Sequence, residues 1–420
     1  MKELTNKKIH YAWIIMIGCG LVTFYSVGLA FNCLSVYLNP LMESLGISNT
    51  LRSSMAMFYQ VGSLLSLFTI NAVIKKIGTR RSVLYSSLLM SAGYLILAAA
   101  KYIVLCYVAM LIIGIGYGLC SLVPVSLLLT EWFAEKRGLA MGIAMCGSGL
   151  STIMAPAMVT KAIDAWGVNS AFILQAAIIT ICAVLAFVLL RDKPADLGIL
   201  SYGDKAECID EKKDTSGKQN ANLWENINDI RFVMLAVATF LAGCLIAPTV
   251  QHLSPFVSQS GYSEQIAATA VSLYGFVMLL GKPVFGTILD KLGVVKGNTY
   301  GYMFLISALI SGVFLSKNIA LVYALPFCLG MGSAPMVTVG LPMWVTEIFG
   351  KEKMPGVFSL MRICYTFGGL VGASVPGIVM DCTGSYTALF KLYIVMAVLS
   401  YIILQRLCIK SSKKSERKET

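Results

Sequence analysis

Apolar residues in this chain fall in blocks of about twenty, the length at which an α-helix crosses a bilayer core of about 30 Å. That feature constrains the fold more than any other. No water reaches the bilayer interior, so every backbone group there must be satisfied within its own segment, as a helix does. Twelve blocks are read, at roughly 11–38, 51–74, 82–100, 102–130, 138–160, 170–190, 231–257, 264–289, 298–316, 318–346, 354–380 and 385–408. Of the 420 residues 57% are apolar and only 13% charged, too little charged surface for a soluble chain of this size. The expected fold class is an all-α membrane protein with 12 transmembrane helices.

The net charge of +12 points to topology, not to nucleic acid. Of the 33 Lys and Arg, five fall near one side of the spans (Arg52, Lys101, Lys161, Lys317 and Lys391). Lys282 and Arg362 fall inside spans, and the rest gather on the other side, among them Lys7, Lys8, Lys75, Lys76, Arg80, Arg81, Lys136, Arg137 and the tail from Lys410. By the positive-inside rule both termini are expected to be cytoplasmic, in a multi-pass protein of the cell membrane. Most of the 12 cysteines, such as Cys19, Cys106, Cys146 and Cys182, sit in apolar spans without metal-ligand spacing and read as small packing residues. The first apolar run is longer than a signal-peptide core and reads as a retained first helix.

The longest polar stretch, Arg191 to Asp229, divides the spans six and six and has the composition of a flexible cytoplasmic linker. Near its end Leu223, Trp224, Ile227 and Ile230 have the spacing of a short surface helix. The expected organisation is a six-helix bundle over 1–190, the linker over 191–229, a second bundle over 230–409 and a tail over 410–420. An internal repeat supports it. Gly114-Ile-Gly116 and Thr130-Glu131-Trp-Phe133 recur 216 residues later as Gly330-Met-Gly332 and Thr346-Glu347-Ile-Phe349; Lys75-Lys-Ile-Gly78 recurs 215 residues later as Asp290-Lys-Leu-Gly293. Two homologous halves place a pathway along their shared interface.

Gly286-Thr-Ile-Leu-Asp290-Lys291-Leu-Gly293, between spans 8 and 9, resembles the loop motif of major facilitator transporters. The first-half copy departs from it, with Asn71 and Lys75 where Gly and Asp are usual. Trp132-Phe133-Ala-Glu-Lys136-Arg137-Gly138-Leu139-Ala140-Met-Gly142 resembles the span-5 signature of the monocarboxylate transporter family and its oxalate–formate antiporter branch. His10-Tyr11-Ala-Trp13, Asn39-Pro40-Leu41 and Gly281-Lys282-Pro283-Val-Phe-Gly286 are similar to the same group. The resemblance covers both halves. It implies the major facilitator fold, two pseudo-symmetric six-helix bundles, and transport of a small organic anion by alternating access.

Lys282 and Arg362 are the leading site candidates, because an ionisable group in the bilayer interior costs roughly 2.5 kcal/mol or more and usually faces a cavity. Counted from the cytoplasmic Asp290 and Lys353, both reach about 12–14 Å into the membrane. Arg binds a carboxylate through two parallel hydrogen bonds and Lys acts as a point charge, so the pair forms a candidate carboxylate clamp. The competing reading is snorkelling or pairing with a helix carbonyl. The resemblance favours the clamp, since related antiporters use basic residues in these two spans. Two cations about 6 Å apart repel by roughly 3 kcal/mol at an effective dielectric near 20, so an empty site resists closure and exchange is expected over uniport. Proton symport is the rival. The proton-coupled members carry an acid one turn before the span-8 cation, where this chain has Met278; His252, late in span 7, is the residue that could titrate near neutrality.

Tyr25 and Asn32, seven residues apart, share one face of an α-helical span 1. The antiporter branch contacts substrate through tyrosines of spans 1 and 4, and Tyr25 and Tyr117 are similar to these; ordinary packing competes for each. Gly286, Asp290 and Gly293, with Glu131, Arg137 and Glu347 at the inner ends of spans 4, 5 and 10, read as gate or loop-anchoring residues. Gly138-xxx-Gly142 and Gly368-xxx-Gly372 read as close helix contacts. No phosphate-binding loop, metal cluster or nucleophile–base motif occurs, and no cofactor or metal is expected. A gradient-driven carrier acting as a monomer is the main reading. A proton symporter, a multidrug exporter and an anion sensor are the alternatives.

Overall fold

The computed structural model describes residues 10–32, 34, 37, 40–41, 49–204, 229–373 and 375–419. Lys7, Lys8 and Asn39, and the 205–228 part of the linker with Leu223, Trp224 and Ile227, lie outside the described residues. Ten helical runs are long and apolar enough to cross a bilayer, and two of them, Arg137–Leu189 and Gln265–Val313, have 53 and 49 residues. Each of these is bent at a glycine, Gly167 (φ 78, ψ 165) and Gly293 (φ 78, ψ 169), in backbone geometry essentially reserved for glycine. Each therefore supplies two spans, which makes twelve. Among the described residues no β-strand forms; there is one isolated bridge, between Phe133 and Tyr202.

Helix starts follow local chemistry. The His10 imidazole accepts from the Ala12 amide at 3.2 Å and opens span 1. Span 7, Ile230–Gln251, is capped by Asp229, whose carboxylate accepts from the Arg231 amide at 2.9 Å and meets its guanidinium at 2.6 Å. That contact, the one ion pair among the described residues, holds the Asp229 carboxyl below its usual range through the hydrogen bond from the Arg231 side chain. In span 1 the α-helix Tyr11–Thr23 passes into a π-helix at Phe24–Asn32. A π-helix turns the chain less per residue. The seven-residue spacing that aligned positions 25 and 32 belongs to an α-helix, so it does not carry over to this stretch.

The repeat is visible as packing. A Cβ on Gly114 would lie 2.1 Å from the Tyr59 carbonyl oxygen of span 2, and one on Gly330 would lie 2.8 Å from the Val277 side chain of span 8. Likewise Gly116 faces Ser86 and Met90 of span 3, and Gly332 faces Gly301 and Leu305 of span 9. Spans 4 and 10 thus seat on equivalent neighbours in the two halves. Gly114→Val is expected to push spans 2 and 4 apart at a cost of about 1–3 kcal/mol, seen as a lower melting temperature of the purified protein. Gly368 and Gly372 bring span 11 equally close to Phe240 and Cys244 of span 7. Large apolar side chains such as Phe68, Ile181 and Val395 are exposed at 60%, 60% and 57%, a surface suited to acyl chains and not to water.

Part of the polar stretch after span 6 is ordered. A 3₁₀ turn at Pro194–Leu197 leads to Tyr202, whose amide donates to the Trp132 carbonyl at 2.9 Å and whose carbonyl accepts from the Ala134 amide at 3.0 Å. Its ring packs edge-on against Trp13, 5.5 Å between centroids. Composition marked this stretch as linker, but the backbone bonds of Tyr202 tie its first part to the loop between spans 4 and 5, and its ring ties it to span 1.

Candidate functional site

Arg362 lies in the helix Met354–Ala373 of span 11. Its guanidinium carbon sits 5.3 Å from the centroid of the Tyr365 ring, one helical turn on, and within electrostatic reach of the Tyr117 and Tyr365 hydroxyls. Its Nη1 is buried with no hydrogen-bond partner among the described residues. Tyr117 stands in an aromatic cluster, with ring centroids 5.5 Å from both Phe31 of span 1 and Tyr59 of span 2. The arrangement is a permanent cation beside a wall of rings contributed by spans 1, 2, 4 and 11. It presents unused N–H donors, which suits an anion, and apolar faces, which suit that anion's tail.

Lys282 is 2% exposed. Its ammonium donates to the Met145 carbonyl at 3.0 Å and to the Ser148 hydroxyl at 2.8 Å, both on span 5. Close helix approach produces this. A Cβ on Gly142 would stand 2.5 Å from the Lys282 carbonyl oxygen, and Gly149 faces Leu279. Buried there, the ammonium draws its acceptors from a helix carbonyl and a nearby hydroxyl. In this state the two mid-span cations share no partner among the described residues: Lys282 is committed to span 5, and Arg362 faces the rings.

The motif residues converge at the basic end of the bundle. The Asp290 carboxylate accepts from the Gly138 and Leu139 amides, each at 2.7 Å. These are among the first N–H groups of Arg137–Leu189, which have no partner within their own helix. A carboxylate at a helix N-terminus also meets the positive end of its dipole. Gly286 packs on Gly138, where a Cβ would lie 2.0 Å from the opposite carbonyl oxygen. The half-buried Arg137 lies within electrostatic reach of Asp290, Glu131 and Glu347, joining both halves. At the equivalent first-half position Lys75 brings no carboxylate; there Ser359 of span 11 donates to the Asn71 side chain at 3.4 Å.

Residues 19–373, and again 235–420, match the sequence signature of the Major Facilitator Superfamily. The chain belongs to that superfamily. Monocarboxylate transporter 12-B of Danio rerio is 23% identical to this transporter over 438 residues, covering 96% of this chain and 90% of its own. An uncharacterized MFS-type transporter of Escherichia coli, YhjX, is 22% identical over 368 residues, covering 85% of this chain and 86% of its own. In structure, the fucose:proton symporter of Escherichia coli superposes with a TM-score of 0.73 over 94% of this chain and 99% of its own, at 15% identity. That likeness carries the fold alone.

In this transporter Tyr25 is fully buried and its hydroxyl pairs with Ser87 of span 3 at 2.8 Å. It thus knits spans 1 and 3, apart from the cluster around Tyr117. Position 32 ends the π-helix. His252 follows the last residue of span 7 and reaches the backbone of Ala373 in span 11, with its ring 6.1 Å from Phe256. The family signature residues serve as anchors: Tyr11 donates to the Leu189 carbonyl at 3.0 Å and Trp132 to the Arg191 carbonyl at 3.0 Å. Sequence reasoning missed Ser148, Phe31 and Tyr365. Tyr365 was findable, since three residues from Arg362 is one helical turn. Nothing in a lone Ser or Phe marks the other two.

Proposed function

We propose that this transporter moves a small organic anion, a mono- or dicarboxylate, across the cell membrane by alternating access and by exchange, with both termini cytoplasmic. The observation that carries the reading is Arg362, a mid-span cation beside the Tyr365 ring and near the Tyr117 hydroxyl, with a buried Nη1 that has no partner among the described residues. A guanidinium in that setting is stabilised by a ligand that brings both negative charge and two acceptor oxygens. Arg362 anchors the carboxylate, and Tyr117 with Phe31 shapes the pocket around the rest of the anion. Asp290, Arg137, Glu131 and Glu347 hold the cytoplasmic side closed until the halves rock. Kinship with monocarboxylate transporters agrees with this substrate class.

The test uses purified protein in liposomes and a melting-temperature screen against lactate, pyruvate, oxalate and formate. At least one is expected to raise the melting temperature, because a ligand of the folded state stabilises it. Efflux of that labelled anion is expected to depend on anion outside. Fast efflux into anion-free buffer removes exchange from the reading. Uptake driven by an inward proton gradient into anion-free liposomes replaces it with symport. Stabilisation by apolar cations alone points to a drug exporter, and tight carboxylate binding without transport to a sensor.

A further inference from the structure

We propose that Lys282 is the latch that keeps the two halves closed at the basic end while the carrier is empty, with Ser148 as its keeper. A carboxylate bound at Arg362 releases it; this second part rests on the function proposed above. Spans 5 and 8 come from opposite halves and touch from Gly138 and Gly286 up to Gly149 and Leu279. Two sets of polar bonds cross that seam. At its rim the Asp290 carboxylate holds the Gly138 and Leu139 amides. Two helical turns deeper the Lys282 ammonium holds the Met145 carbonyl and the Ser148 hydroxyl. The Ser148 hydroxyl in turn donates to the Met145 carbonyl at 2.8 Å, which turns its lone pairs toward the ammonium. Beside them the Cys146 thiol donates to the Leu279 carbonyl at 3.2 Å.

The two sets differ in what replaces them when the seam parts. Water can solvate Asp290 and the helix amides at the rim. Lys282 sits in the dry part of the seam, and parting would leave an ammonium without acceptors, the most unfavourable outcome for a buried polar group. Its partners are both neutral and both on the opposite half. A carboxylate drawn to Arg362 brings into the same interface the negative charge that the ammonium lacks, so the loaded carrier can open where the empty one cannot. Lys282 then couples occupancy to opening, and empty return is slow.

Hydrogen–deuterium exchange at the Gly138 and Leu139 amides reads seam opening directly, since their partner is Asp290 on the other half. In the anion-free protein Ser148→Ala is expected to exchange at these amides about tenfold faster than wild type, the factor for weakening one hydrogen bond to a charged group. Ser148→Thr, which keeps the hydroxyl, is expected to match wild type. Unchanged exchange in a Ser148→Ala protein that melts like wild type overturns the latch. In wild type, whichever of lactate, pyruvate, oxalate or formate raises the melting temperature is expected to speed exchange at the same two amides. A carboxylate that binds and leaves them protected overturns release by anion. If none of the four binds, the carboxylate reading itself fails, and the Ser148 comparison still decides the latch.

Discussion

Arg362→Gln is expected to reduce carboxylate exchange in liposomes at least a hundredfold while leaving the protein folded. Among the described residues Nη1 has no hydrogen-bond partner, so the substitution breaks no bond there and the melting temperature without ligand is expected to stay near that of wild type. A bound carboxylate, in contrast, loses a charge-assisted pair of hydrogen bonds worth about 1.5–3 kcal/mol each in a water-poor site. At 1.4 kcal/mol per factor of ten, even one such pair accounts for about a hundredfold. Arg362→Lys keeps the charge and loses the fork, so partial activity with weakened binding is expected. Retained exchange in Arg362→Gln would place the anion elsewhere.

Asp290→Ala comes next in size. It removes two bonds of 2.7 Å that cross the seam and the charge that faces the span-5 N-terminus. Together these are worth about 2–4 kcal/mol, which shifts the closed-to-open balance at the basic end by roughly thirtyfold or more. The first half offers no substitute, since Lys75 stands at the matching position. Cys146 provides a native probe: it is half-buried in the seam with its thiol on the Leu279 carbonyl. Maleimide modification at Cys146, followed by mass spectrometry, is expected to be at least tenfold faster in Asp290→Ala. Equal rates in the two proteins would show that Asp290 is no gate. Asp290→Asn, which keeps one acceptor oxygen and loses the charge, is expected to fall between them.

Gly286, Asp290 and Gly293 stand out in the sequence as a motif. Gly286 and Asp290 lie in the helix that leads to the bend at Gly293, and the partners of Asp290, the Gly138 and Leu139 amides, come from a span of the other half, which the motif does not show. The site was legible only in outline. Arg362 stands out because a charge in an apolar run is costly, and its depth follows from counting residues along a helix. Of its surroundings the family resemblance pointed to Tyr117; Phe31 and Tyr59 do not follow, because they arrive from two further spans. The π-helix at Phe24–Asn32 shows the same limit within one span: a seven-residue spacing predicts a shared face only if the helix keeps α geometry.

The amino-acid sequence alone determined the number of spans, their two-fold repeat, the asymmetry of charge and the two cations in the membrane. Each is a property of a segment in lipid, where the penalty for an unpaired backbone or a stray charge outweighs all else. The tertiary structure alone decided that Lys282 and Arg362 have different neighbours. Both are cations at similar depth, and what separates them is the neighbouring helix: glycines bring span 5 onto Lys282 and supply its acceptors, while rings around Arg362 supply none at Nη1. A side chain's partners across an interface depend on how two distant segments pack, and that information is carried by shape and not by any one stretch of sequence.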